Sequence, residues 1–185
     1  MRRATKPILM PLLMLWYVFS AAKVSPLIII ALFCGCLGDI FLLWAEKRAQ
    51  FFFGLTSFSF GHVCYILFLL ARMSVPPLWM VLALVAAYGT GAAFTYWGLR
   101  PALPRTVRPV AAGYMLLLCF MSACTAVYAF GGHGILPLAG SLLFLLSDTI
   151  LSNEVFKKET RYGNFLVMFT YLAAQLLLTL GFAAA

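Results

Sequence analysis

Two aspartates carry the chemistry this chain can offer. Asp39 lies in the run Cys36-Leu37-Gly38-Asp39-Ile40-Phe41-Leu42, and Asp148 in Leu145-Leu146-Ser147-Asp148-Thr149-Ile150-Leu151. Of five acidic residues, only these two stand well inside apolar stretches. A carboxylate inside a membrane span is costly and marks a site by default. Asp39 is seven residues before Glu46, roughly 10 Å from the end of its stretch at 1.5 Å per helical residue. Asp148 is nine residues before Lys157, roughly 13 Å from its own end. The two depths agree to within about one helical turn, so the pair is expected to face one cavity. Two carboxylates sharing a site separate their titrations: one acts as an acid, the other stays charged. The structural alternative is that each aspartate hydrogen-bonds a neighbouring helix as interhelical glue.

Other polar groups are spaced to join them. His62 is three residues from both Ser59 and Tyr65, so all three share one helix face. A core histidine satisfied by an aspartate or a backbone carbonyl is the competing reading. Tyr171 and Gln175 are four apart, again on one face. Asn153 follows Asp148 by five residues, nearer the end of its stretch. Lys6-Pro7 opens the first apolar run, and the lysine either snorkels or holds a lipid phosphate. We take Lys6, His62, Tyr65, Asn153, Tyr171 and Gln175 as substrate-binding candidates around the catalytic candidates Asp39 and Asp148. His133, in the Gly131-Gly132-His133-Gly134 run, reads as a solvated loop residue. Two histidines are too few for a three-histidine zinc centre. The five cysteines, all inside apolar runs, lack metal-ligand spacing and read as small core residues. No metal and no cofactor is expected.

The elements that must position these groups are membrane helices. Of 185 residues, 64% are hydrophobic and 10% charged, against about 45–50% and 25% in soluble domains. That composition excludes both a soluble globule and a disordered chain. The apolar runs predict a single all-α polytopic transmembrane domain over 1–185. Its seven spans are expected at about 7–20, 26–45, 51–71, 77–98, 107–129, 135–156 and 162–183. The net charge of +8 comes from basic clusters between runs, which act as topology signals and do not point to nucleic acid. Placing the N-terminus in the cytoplasm leaves only Lys23 and Arg72 outside, so eleven of the thirteen basic residues obey the positive-inside rule. The C-terminus is then external. The first run, with Ser20, Ala21 and Ala22 after it, resembles a signal peptide but is expected to be a retained span.

A weak internal repeat supports this organisation. Shifted by 109, Leu37 falls on Leu146, Asp39 on Asp148, Leu42 on Leu151, Arg48 on Lys157 and Gly54 on Gly163. The same shift lays His62 on Tyr171. Spans two and six run in the same direction, which predicts a parallel 3+1+3 arrangement.

Several motifs together resemble a known family. Gly35-Cys36-Leu37-Gly38-Asp39-Ile40-Phe41-Leu42-Leu43 looks like its small-Gly-Asp-x-x-Leu motif. Phe53-Gly54 with Phe58, His62 and Tyr65 looks like its Phe-x-Gly…Phe-x3-His-x2-Tyr motif. Phe144 to Asp148 resembles its Phe-x-x-Ser-Asp, Tyr171 to Gln175 its Tyr-x-x-Ala-Gln, and Lys6-Pro7 its early Lys-Pro. The chain is thereby similar to YhhN-type membrane proteins, which include lysoplasmalogenases. Members often carry eight spans, one of them ahead of the Lys-Pro; this chain begins almost at Lys-Pro, so seven are expected. The resemblance implies hydrolysis of the vinyl ether bond of a lysophospholipid within the membrane, bacterial inner membrane included. Two aspartates suit it, because the reaction needs a proton donor and a carboxylate beside a developing cation. The rival readings are a SWEET-like carrier with parallel repeats and a lipid-binding protein without turnover. Oligomeric state is not legible.

Overall fold

The computed structural model describes the backbone of residues 2–43, 48–158 and 160–184, with side chains from Ile8 onward except 44–49 and Glu159. The described residues form seven α-helices and no strand. They are α1 (Arg2–Ser20), α2 (Pro26–Leu42), α3 (Arg48–Leu70), α4 (Leu78–Leu99), α5 (Arg108–Tyr128), α6 (Leu136–Phe156) and α7 (Gly163–Ala183). Prolines in the first turn open α2, α5 and α6, where the missing N–H costs nothing. Five helices, α3 to α7, contain stretches long and apolar enough to cross a membrane; Ile8–Ser20 and Pro26–Leu42 are shorter apolar helices. The bundle's outer surface is itself apolar: Phe19 is 85% and Phe94 82% exposed. A soluble monomer does not present such continuous apolar surface, so the chain is an integral membrane protein.

Helix boundaries differ from the sequence reading at three places. α2 closes at Leu42, with Leu43 N–H donating to the Asp39 and Ile40 carbonyls, so Asp39 sits in its last turn. Residues 44–47 lie outside the described residues. α1 starts five residues earlier than expected, at Arg2. The Gly-rich run after α5 is a π-helical turn, Ala129–His133. Gly132 and Gly134 leave it at φ of 88° and 90°, which only glycine adopts without strain.

α2 packs chiefly along α3, and α6 along α7; α1 lies on α2 and α7, and α5 on α3 and α6. Close approach depends on small residues. A Cβ on Gly140 of α6 would lie 2.8 Å from both the Ala174 carbonyl and the Leu178 N of α7. Tyr17, Leu32, Phe58, Tyr65, Phe144, Tyr171, Leu178 and Phe182 belong to the main core. A smaller cluster of Leu99, Leu103 and Val107, with Phe51 and Phe156 against it, lies toward the end where Arg100, Arg105, Arg108, Lys157, Lys158 and Arg161 lie. α4 is the outlier: 6% of its apolar stretch is buried, against 50% for α7.

Candidate functional site

One cavity reaches from the basic end of the bundle into its interior, and both aspartates line it. Walls come from α2 to α7, and the empty space is about 1090 Å³ with the open mouth included. That is the size class of small-molecule sites. Most of the lining is aliphatic or aromatic, from Phe51, Leu99, Leu103 and Phe156 toward the basic end to Phe58 and Leu118 further in. Its polar members include Asp39, Asp148, Tyr114, Tyr171 and Thr149, and none of its described residues is lysine, arginine or histidine.

Local packing sets each carboxylate. Gly38 lies under the Phe58 ring, where a Cβ would come within 2.6 Å of the ring carbons. Asp39 follows it at 2% exposure. On α6, Ser147 Oγ donates to the Val167 carbonyl of α7 at 3.1 Å. This bond holds the face before Asp148 against α7 and leaves Asp148, half-buried, toward the cavity. Below it, Glu154 accepts from Thr160 N at 2.9 Å and Thr160 Oγ1 at 2.7 Å, stapling the α6–α7 connection.

Each aspartate has a tyrosine. The Tyr114 hydroxyl, from α5, donates to Asp148 Oδ2 at 2.5 Å. Tyr171, from α7, stands beside Asp39 and Gln175. The candidates His62, Tyr65 and Gln175 do not line the cavity; they form a layer behind these tyrosines. His62 Nε2 is 3.3 Å from the Tyr114 hydroxyl, and Tyr65 donates to Gln175 Oε1 at 2.9 Å. Phe144 packs edge-on against His62, with ring centres 4.7 Å apart, and against Tyr171 at 5.5 Å. His62, Tyr65, Tyr171 and Gln175 are all buried.

Two sequence expectations are not met. Asn153 turns back on its own helix, its Nδ2 donating to the Thr149 carbonyl at 2.8 Å, and it does not line the cavity. A helix-end asparagine finds that carbonyl one turn back more cheaply than a partner across a cavity. Ser59 likewise donates to the Leu55 carbonyl of its own helix at 2.9 Å and does not join His62. The competing reading of His62, a core histidine satisfied by an aspartate or a backbone carbonyl, gives way to a contact with Tyr114. The Lys6 side chain lies outside the described residues. Tyr114 itself escaped sequence reading: it stands in Ala112-Gly113-Tyr114-Met115, one of eight tyrosines, with no polar neighbour at helical spacing to single it out.

The arrangement suits chemistry in which positive charge develops. Two carboxylates face a largely apolar chamber whose lining offers no basic side chain, and low dielectric strengthens their effect on a cationic transition state. Among the described residues, no group of three or more His, Cys, Asp or Glu side chains converges as metal ligands.

Residues 1–182 match the YhhN family. Among curated proteins, the lysoplasmalogenase TMEM86B of Rattus norvegicus is 33% identical over 177 residues, covering 95% of this chain and 69% of that protein. The Homo sapiens lysoplasmalogenase TMEM86B is 30% identical over 168 residues, 90% of this chain and 67% of that protein. The Mus musculus lysoplasmalogenase TMEM86B is 34% identical over 177 residues, with 95% and 71% covered. No solved structure matches.

Proposed function

The chain belongs to the YhhN family, and from that premise we propose that it is a membrane-embedded ether hydrolase acting on lysoplasmalogens. The observation that carries this reading is the single cavity lined by both Asp39 and Asp148. One carboxylic acid protonates the β-carbon of the vinyl ether, which leaves an oxocarbenium ion. The other carboxylate stabilises that cation and accepts a proton from the water that adds to it. The resulting hemiacetal collapses to a fatty aldehyde and the free hydroxyl of the glycerophospho-head group, with one water consumed. Protein carboxylates and water supply every proton this needs.

The substrate's phosphate is placed at the basic end, near Arg100, Arg105 and Arg108 after α4 and Lys157, Lys158 and Arg161 after α6. Its tail then runs inward past the aspartates and out along the seam between α4 and α5. A second, almost wholly apolar groove lies along the α4–α5 seam. It is lined by Val85, Tyr88 and Gly89 of α4 with Leu116, Cys119 and Phe120 of α5. Cys119 follows Leu118, which lines the first cavity. A chain is thereby admitted sideways from the bilayer.

Seven spans are part of this proposal, with α1 and α2 crossing despite their short apolar stretches. So are an N-terminus in the cytoplasm and a single domain related by a 3+1+3 repeat. Packing supports the repeat: exchanging α1, α2 and α3 for α5, α6 and α7 maps α1–α2 onto α5–α6, α2–α3 onto α6–α7, and α3–α5 onto α7–α1. The polar pairs follow the same exchange. Tyr171 on α7 reaches Asp39 on α2, and His62 on α3 reaches toward Asp148 on α6 through Tyr114.

That symmetry also favours the second reading, a carrier built from parallel repeats. Incubating the purified protein with a lysoplasmalogen separates the two. Release of fatty aldehyde supports the hydrolase, whereas uptake of label into proteoliposomes without aldehyde supports the carrier.

A further inference from the structure

Tyr114 is the residue that the two-carboxylate scheme leaves without a role, although its hydroxyl stands between Asp148 and His62. It lines the cavity, donates to Asp148 Oδ2 at 2.5 Å and lies 3.3 Å from His62 Nε2. A phenol has one proton. If that proton goes to Asp148, the bond on the other side must come from His62, so Nε2 carries the imidazole N–H. The far nitrogen agrees. His62 Nδ1 is buried and has no hydrogen-bond partner among the described residues. A buried N–H without an acceptor is rarer than a buried acceptor without a donor, so the proton belongs on Nε2. His62 is 1% exposed and wedged edge-on against Phe144, and its ring is not free to turn over.

We propose that Tyr114 is a positioning residue for Asp148, held in donor orientation by His62, and that His62 acts on the reaction only through Tyr114. The chain His62 Nε2–H to Tyr114 O, then Tyr114 O–H to Asp148 Oδ2, has one direction. It fixes one carboxylate oxygen, Oδ2, and with it the rotation of the carboxylate in the cavity wall. This inference rests on Asp148 being one of the two working carboxylates. It assigns the motif histidine a task at second remove and adds a residue that sequence spacing does not reveal.

The test compares Tyr114→Phe, His62→Gln, Asp148→Asn and their combinations, purified in detergent and checked for unchanged thermal unfolding, with aldehyde release as the assay. Tyr114→Phe keeps the ring and loses only the hydroxyl. It is expected to lower kcat by about 10–100-fold, the range for a hydrogen bond to a charged group, with KM within about twofold. His62→Gln is expected to lose less. Adding His62→Gln to Tyr114→Phe, or Tyr114→Phe to Asp148→Asn, should cost nothing further, because residues acting as a unit are not additive. Nitrogen-15 NMR of labelled histidine should find the His62 proton on Nε2. If Asp148→Asn is inactive but Tyr114→Phe turns over within about threefold of the wild type, the two-carboxylate reading stands and this inference falls. Multiplicative losses, or a proton on Nδ1, overturn it as well. An Asp148→Asn variant with near-normal turnover removes both.

Discussion

A carboxylate in a largely apolar chamber is useful to catalysis only if it meets something that needs a proton or a negative charge. Asp39 and Asp148 meet the same space; a tyrosine hydroxyl donates to Asp148 before any substrate arrives, and another tyrosine stands beside Asp39. A positioned general acid is worth about 10²–10⁴ in rate. Asp39→Asn and Asp148→Asn, which replace an acid by an amide of similar volume, are each expected to lose at least ~10² in kcat. The double variant should be little worse than the slower single. Aldehyde release by folded protein in detergent measures this, and either single variant within about threefold of the wild type would retire the mechanism in favour of transport. At this scale the aspartates, His62, Tyr171 and Gln175 were readable, because polar groups in apolar runs stand out against their neighbours. Tyr114 was not, because an isolated tyrosine at a helix position looks like interface filler until the opposing helix is known.

Helices differ in what their glycines are for. Gly140 lets α6 touch α7, whose backbone leaves no space for a Cβ. Gly140→Ala therefore forces the two helices apart at the level between Ser141 and Ala174, and should destabilise by roughly 1–3 kcal/mol, the usual cost of overpacking. Gly89 on α4 has nothing within 4 Å of its would-be Cβ, so Gly89→Ala should leave thermal unfolding in detergent unchanged. A loss at Gly89 equal to that at Gly140 would contradict this account of packing. The same open position allows a test of the tail groove. Gly89→Trp places an indole between α4 and α5, and should slow turnover of long-chain alkenyl substrates about tenfold. That is the equivalent of about two methylenes at ~0.8 kcal/mol each. Short-chain analogues should be affected by less than about twofold. Equal slowing at both chain lengths would remove the groove from the substrate path. α4 itself stays attached through Tyr88, whose hydroxyl bonds Ser122 Oγ at 2.7 Å, with Ser141 2.8 Å further on.

Among the described residues, Arg100, Arg105, Lys157, Lys158 and Arg161 lie in the connections after α4 and α6, and Arg108 opens α5, while exposed apolar side chains cover the helix faces. On the proposed seven-span arrangement eleven of thirteen basic residues fall on one side, and the positive-inside rule then predicts a cytoplasmic N-terminus and an external C-terminus. A reporter fused after Ala185 should be active in its external form only; activity confined to the cytoplasm would require an even number of spans or an inverted bundle. The cavity lining includes Leu99 and Leu103, beside the basic connection after α4, so on the proposed substrate pose this orientation also decides from which leaflet a phosphate-bearing substrate approaches.

Hydropathy and charge determined the helical, membrane-embedded class, the number of apolar runs and the positions of both aspartates. Those properties are written locally, in the solvation cost of each side chain. The family motifs were legible for the same reason, as short-range patterns. That Asp39 and Asp148 share one chamber was expected from their matching depth; only the tertiary structure supplied the chamber's walls, drawn from α2 to α7. It also decided that Asn153 turns away and that a tyrosine of α5 stands between the histidine and its aspartate. Those outcomes depend on helix rotation and crossing. Both are set by close-packed contacts, such as Gly140 on α7 and Phe58 over Gly38, whose partners lie tens of residues apart along the chain.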